Sequence, residues 1–468
     1  MNPQIFREYD IRGIVDRDLT DDVVRDLGRA YGSHLIEQGG RCVVVGRDVR
    51  LSSEHLKDVL VRGLLETGCD VTDVGEVPTP ALYFSILHLN TDGGVMITGS
   101  HNPIEFNGFK LCGRDFDPDG VRSIYGREIQ GLRERMEKKQ FVQGAGTLSD
   151  AATLPAYIQM IQERIHLERA LKVVVDAGNG STSEIGPAIL RGIGCEVIPL
   201  YCEVDGRFPN HLPDPTIPEY MRDLQRKVIE TGADVGIGYD GDGDRIGVID
   251  DTGKILWGDR LLALYARDVL SRLPGSTILF DVKCSQALVE DIKAHGGVPL
   301  MGRTGHSLIK AKMREIGAPV AGEMSGHMFF AQNYFGYDDA LYASARLLEF
   351  LSRTSAKLSQ IAAELPQYEA TPEIRIDCAD EEKFDVVKQI KATFRKDHDI
   401  IDVDGVRVLF GDAWALVRAS NTQPVLVLRF EARTKERLRE IVRWLVEALN
   451  QYPAVSGTDR VWKAMEGV

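Results

Sequence analysis

Several things are missing from this sequence. No run reaches the roughly 18 apolar residues of a membrane-spanning helix, so no membrane partner is expected. Positive charge is in deficit. The 56 Lys and Arg against 70 Asp and Glu give a net charge of -14, which argues against a nucleic-acid or anionic-membrane surface. A small anionic substrate remains open, because a local basic cluster can focus its own field. Cysteine is sparse. Cys42, Cys69, Cys112, Cys195, Cys202, Cys284 and Cys378 make an odd count without a C-x-x-C pair. That fits reduced thiols in a cytoplasm better than a disulfide framework or a zinc site. The opening MNPQIFREYDIRG lacks the apolar stretch of a secretory signal.

What is present is length and repetition. At 468 residues the chain is too long for one hydrophobic core, which predicts three or four domains. Residues 41–75, 172–200 and 276–302 share one pattern: a short β-branched run, a polar loop, a helical stretch, a glycine stop and a second apolar run. Continuous apolar runs predict strands buried on both faces of a parallel sheet, and the helix between them supplies the crossover. Three copies predict three related α/β domains. After Pro366 the pattern changes to a strand over 373–378, a helix over 381–395, short strands to about 431 and a helix over 434–449. That predicts a smaller α+β domain with its strands grouped. The expected domains are 1–149, 150–250, 251–366 and 367–468.

Four loops carry chemistry. In MITGSHNPIEFNGFK (96–110) an apolar run ends on Ser100 beside His101, pinned by Pro103, with Lys110 beyond. In Asp240-Gly-Asp242-Gly-Asp244-Arg245 three carboxylates at alternate positions can converge on one hard cation. An EF-hand is excluded, since its sixth position is Arg245 and its twelfth Asp251. A plain acidic turn is disfavoured, because three close aspartates repel unless a cation holds them. All-oxygen ligation favours Mg²⁺ over zinc, and an adjacent arginine suits phosphoryl transfer. Gly322-Glu-Met-Ser-Gly-His327 sets a carboxylate, a hydroxyl and an imidazole together, a set suited to sugar hydroxyls. Arg418-Ala-Ser420-Asn421-Thr422 offers the parts of a phosphate cradle.

Together with FREYDIRG (6–13) and GRTGHS (302–307), these loops resemble the α-D-phosphohexomutase superfamily, and within it the bacterial phosphomannomutase/phosphoglucomutase branch. TGSHNP and DGDGDR carry the specificity of the match. The resemblance implies three similar α/β domains with mixed, mainly parallel sheets and a fourth α+β domain, around a central cleft. It implies an isomerase that moves a phosphoryl group between C1 and C6 of glucose and mannose phosphates. Ser100 would carry the phosphoryl group, and glucose or mannose 1,6-bisphosphate would be the intermediate and activator. Ser100, Asp240, Asp242 and Asp244 would hold Mg²⁺, with Arg245 and His101 assisting. Lys110 would meet the reacting hydroxyl or its phosphate. Arg418, Ser420, Asn421 and Thr422 would grip the other phosphate, and Glu323, Ser325 and His327 would bind the sugar. Tyr9, Arg12, Lys283 and His306 would line the cleft. Two alternatives stand beside this reading. One is a phosphoglucosamine mutase, against which Met324 argues, since that subfamily usually resembles GEQSGH there. The other is a non-catalytic sugar-phosphate sensor, against which the intact serine and aspartates argue.

Overall fold

The structure, a computed structural model, describes residues 1–116, 119–420 and 423–466. Each of the three repeats is a parallel β-α-β unit. Cys42–Arg47 pairs with Asp70–Glu76 around the helix Ser53–Leu65. Lys172–Asp176 pairs with Glu196–Leu200 around Ile185–Gly192. Thr277–Asp281 pairs with Val298–Gly302 around Gln286–Ala294. The first strand of each unit is almost wholly buried, as a strand covered on both faces must be.

The repetition extends further than the sequence pattern indicates. On its other side, each first strand pairs in parallel with a third strand: Gly93–Ile97, Val235–Tyr239 and Val320–Gly322. Each third strand then folds back antiparallel, onto Phe106–Phe116, Ile246–Asp250 and Met328–Phe330. The turns of these three hairpins are the serine, aspartate and Glu–His loops. One architectural position thus carries all three loops.

The remaining sheet is antiparallel: Asp399–Ile401, Val406–Leu409, Ala413–Ala419, Val425–Ala432, Ile374–Cys378 and Val455–Ser456 in that order. The fourth loop starts within Ala413–Ala419, which pairs antiparallel with Val425–Ala432. Helices Lys383–Phe394 and Lys435–Leu449 cover this sheet. The second is capped by Thr434, whose hydroxyl accepts the Arg437 amide at 3.2 Å, and buries Leu438, Ile441, Val442, Leu445 and Leu449. That is a 3.6-residue stripe, each member contributing about 1.5–3 kcal/mol on burial. Three elements of this domain were not expected from sequence: the two-residue strands Glu369–Ala370, which pairs with Val425–Ala432, and Val455–Ser456, and the helix Asp459–Met465.

One continuous apolar core runs through the first three sheets, from Val44 to Leu365. The fourth sheet has its own core, joined to the third by Val282, Trp414 and Leu416. There Arg407 stacks 3.6 Å from the Trp414 ring centre and donates to the carbonyls of Val282 (2.9 Å) and Cys284 (2.7 Å). All seven cysteines are free. Among the described residues, no helix is long and apolar enough to cross a membrane.

Candidate active site

In the turn after the strand Gly93–Ile97, Ser100 takes a left-handed φ of 49°, which costs a non-glycine residue about 1–2 kcal/mol. Its amide donates to Thr98 Oγ1 at 2.8 Å. Its buried hydroxyl donates to Asp240 Oδ2 at 2.9 Å, and His101 Nδ1 lies 3.1 Å away. Burial, then the flanking Arg245 and Arg12, push the His101 imidazole well below its ordinary value and so keep it neutral.

The aspartate turn is closed from within. Asp240 Oδ1 accepts the amides of Asp244 (3.0 Å) and Arg245 (3.1 Å), and Gly243 takes the left-handed φ of 74° that the tight turn requires. Asp242 Oδ2 accepts from Thr79 Oγ1 at 2.5 Å and Lys110 Nζ at 2.6 Å; the same ammonium lies 2.5 Å from Asp244 Oδ2. Burial opposes the Lys110 charge, but Asp242 and Asp244 outweigh it and hold the ammonium above its ordinary value. Burial, then Asp244 and Asp242, drive the Asp240 carboxyl well above the usual range. At Asp244 burial acts the same way, but Lys110 and His327 outweigh it and hold the carboxyl at about 2.

These residues fit a hard divalent cation. The three carboxylates are fully buried with ligand oxygens within 4.8 Å of one another. Asp242 Oδ1 and Asp244 Oδ1 have no hydrogen-bond partner, an arrangement that buried carboxylates tolerate only beside positive charge.

The Glu–His turn locks onto this loop. Ile246 N donates to the Gly326 carbonyl at 3.1 Å, and Arg245 Nε donates to His327 Nε2 at 2.9 Å. A guanidinium can only donate, so Nε2 carries the lone pair and the ring proton sits on Nδ1. Nδ1 faces Asp338 Oδ2 at 3.1 Å, and Asp338 Oδ1 accepts from Lys310 Nζ at 3.0 Å. His306 stacks on His327 with ring centres 5.5 Å apart. Burial and Lys310 press the His306 pKa well below its ordinary value.

A second group gathers around residues 302–306. The Glu323 carboxylate accepts the Gly305 amide at 2.5 Å, and burial raises its pKa. Tyr9 donates to the Thr304 carbonyl at 2.7 Å. Asp404 accepts both the Thr304 amide and Arg418 Nε at 3.1 Å, joining the fourth domain's loop to the third. Lys283 pairs with Glu373 at 3.0 Å, where Glu373 and Asp281 overcome burial and raise its pKa. Arg12 donates to Asp10 at 2.7 Å and to Asn102 at 3.3 Å, within the serine loop. Ser420 Oγ accepts the Gln423 amide at 3.1 Å, and Ser325 is half-buried in its turn. Asn421 and Thr422 lie outside the described residues.

The expected site residues therefore form two groups joined by one turn. Its His327 end touches the aspartate loop and its Glu323 end touches the 302–306 loop, with the Glu323 amide donating to the His327 carbonyl at 2.9 Å. Among the participants not anticipated are Thr79, Lys310, Asp338, Glu373 and Asp404. An aspartate pair before a helix reads as a cap, which Asp339 is, and Asp404-Gly405 reads as a turn. Only the tertiary pairing reveals the rest.

The chain matches, in order, the phosphoglucomutase/phosphomannomutase alpha/beta/alpha domain I over residues 3–140, domain II over 155–253, domain III over 257–368 and the C-terminal domain over 373–448. It is 48% identical over 438 residues to the phosphomannomutase/phosphoglucomutase of Pseudomonas aeruginosa, covering 93% of each chain. It is 44% identical over 442 residues to a phosphoglucomutase of Neisseria gonorrhoeae, covering 93% of this chain and 95% of that one. The crystal structure of a phosphoglucomutase/phosphomannomutase family protein from Burkholderia thailandensis superposes with a TM-score of 0.90 at 43% identity, over 96% of this chain and 98% of that one.

Proposed function

The chain belongs to the phosphoglucomutase/phosphomannomutase family, and on that premise we propose that it interconverts the 1- and 6-phosphates of glucose and mannose through a phosphorylated Ser100. We read its four units as 1–149, 150–250, 251–366 and 367–468. The observation that carries the mechanism is the Ser100 hydroxyl, 2.9 Å from Asp240 and ringed by buried charge.

Asp240, Asp242, Asp244 and Ser100 would hold Mg²⁺, which when bound neutralises charge on the transferring phosphoryl group. Arg245 leaves His327 Nε2 to grip that group, and the freed Nε2 lone pair accepts the proton of the attacking sugar hydroxyl. The bond from that oxygen to phosphorus forms as the bond to Ser100 Oγ breaks, and the proton taken up by His327 is returned to Ser100 Oγ, restoring its hydroxyl. Asp338 keeps the His327 tautomer that this requires. Lys110, whose ammonium lies 2.6 Å from Asp242 Oδ2, is placed to act on the phosphoryl group as a cation. Arg418 and Ser420, with Asn421 and Thr422, hold the other phosphate. Tyr9, Arg12, Lys283 and His306 line the path along which the bisphosphate turns over. Burial of the site keeps water from the phosphoserine.

Turning the bisphosphate exchanges O1 and O6, so the hydroxyls met in both poses are O3 and O4 near the turning axis. Glucose and mannose differ only at C2, so recognition of O3 and O4 by Glu323 and His327, with Ser325 beside them, admits both. The test is Glu323→Gln assayed side by side with glucose 1-phosphate and mannose 1-phosphate. Both kcat/KM values are expected to fall by similar factors. A tenfold difference, about 1.4 kcal/mol in transition-state binding, would mean that this loop reads C2.

A further inference from the structure

The serine loop between Gly99 and Phe106 lies outside strand and helix, so its carbonyls need partners from elsewhere. One buried side chain supplies three of them, and one more to the carbonyl of Phe106 at the start of the next strand. Arg50 donates from Nη1 to the carbonyls of Pro103 (2.7 Å) and Phe106 (3.0 Å), and from Nη2 to those of Ser100 (2.8 Å) and Asn102 (2.5 Å). Asp48 aligns it: Arg50 Nε lies 3.4 Å from Asp48 Oδ2, which also accepts the Gly99 amide at 3.0 Å. The approach is so close that a Cβ on Gly99 would stand 2.4 Å from Arg50 Nε.

The second domain closes the arrangement from the other side. The Phe208 ring, carried at φ 48°, lies 5.2 Å from the guanidinium carbon. A Cβ on Gly206 would fall 2.1 Å from the Val49 carbonyl, so these backbones are also in contact. The Ser100 carbonyl that Arg50 holds meets Gly241 of the aspartate loop, where an added Cβ would lie 2.4 Å away. One guanidinium therefore sits where the serine turn, the aspartate loop and the 205–208 segment converge.

We propose that Arg50 is a positioning residue for the reaction. Its planar fork fixes the left-handed Ser100 turn against the aspartate loop, and Phe208 locks the guanidinium from the second domain. Carrier and cation site then keep their register while the bisphosphate turns over. The inference rests on Ser100 as phosphoryl carrier. Lysine brings the same charge but not the planar fork, so it cannot reproduce the four contacts.

The test is full-length Arg50→Lys with Mg²⁺, glucose 1-phosphate and glucose 1,6-bisphosphate. The expected result is a kcat lower by roughly 10²-fold, the effect of about 1 Å of misplacement. KM for glucose 1-phosphate is expected to hold, because the sugar and distal-phosphate contacts are untouched. Phosphoryl transfer from glucose 1,6-bisphosphate to Ser100, followed by intact mass, slows in parallel. Wild-type kcat overturns the proposal, even with a lowered thermal midpoint. If Arg50→Lys does not fold, Phe208→Leu carries the test. A fall in kcat of roughly threefold to tenfold at unchanged KM, the size of a lost cation–π contact, supports the proposal, and wild-type kcat overturns it. Ser100→Ala in the same assays separates the two readings. Full activity there sinks the carrier itself, whereas a phosphorylated Ser100 with an unaffected Arg50→Lys sinks only the positioning role.

Discussion

Replacing Gly241 by alanine perturbs chiefly the contact between the two central loops. Gly241 does not take a left-handed φ, so alanine is unstrained there. The new Cβ would lie 2.4 Å from the Ser100 carbonyl oxygen and 3.1 Å from Pro213 Cγ. Relieving the first contact to the 3.4 Å of ordinary packing displaces one loop by about 1 Å. A shift of that size between reacting groups costs roughly 10²-fold in rate, about 2.7 kcal/mol of barrier. Overpacking should also remove about 1–3 kcal/mol of stability. The assay is kcat with glucose 1-phosphate at saturating Mg²⁺ and glucose 1,6-bisphosphate, alongside thermal unfolding. Gly131→Ala is the control. That exposed helical position has nothing within 4 Å of an added Cβ, so alanine should stabilise by about 0.5–1 kcal/mol at wild-type kcat. Wild-type kcat in Gly241→Ala would refute the idea that backbone contact between the loops sets the position of Ser100.

Two further outcomes follow from the charge distribution. EDTA should abolish turnover and Mg²⁺ restore it, because Asp240, Asp242 and Asp244 are buried together; activity indifferent to EDTA contradicts the cation site. His211 donates to Asp176 Oδ2 at 3.0 Å and to the Leu212 carbonyl at 2.9 Å; burial opposes its charge, but Asp176 outweighs it and raises the pKa. Its folded pKa thus exceeds the unfolded value of about 6.5, so its stabilisation is complete below that pH and is lost as pH climbs through the folded value. The gap in thermal midpoint between wild type and His211→Gln should therefore shrink from about pH 6 to pH 9, and a gap independent of pH would contradict the assignment.

The three α/β units were legible because buried parallel strands leave continuous apolar runs, as in Val43 to Val45 and Val173 to Val175. The serine and aspartate loops were legible because few folds need those residues at that spacing. What was not legible depends on distance in sequence. Nothing near Lys110 indicates that its ammonium pairs with Asp242 and Asp244, 132 and 134 residues away. The same holds for Arg245 with His327, and for Asp404 with Thr304. The equivalence of the three hairpin turns was also hidden, because TGSHNP, DGDGDR and GEMSGH share no common residue pattern. The strand Val455–Ser456 escaped because two residues carry no periodicity.

The phosphoryl carrier itself is tested most directly by intact-mass and peptide analysis of the full chain after incubation with glucose 1,6-bisphosphate and Mg²⁺. The expected result is one added phosphoryl group on the peptide containing Ser100, discharged by glucose 1-phosphate and absent from Ser100→Ala, which should lose nearly all turnover. A phosphoryl group on another residue, or full activity in Ser100→Ala, would contradict the account.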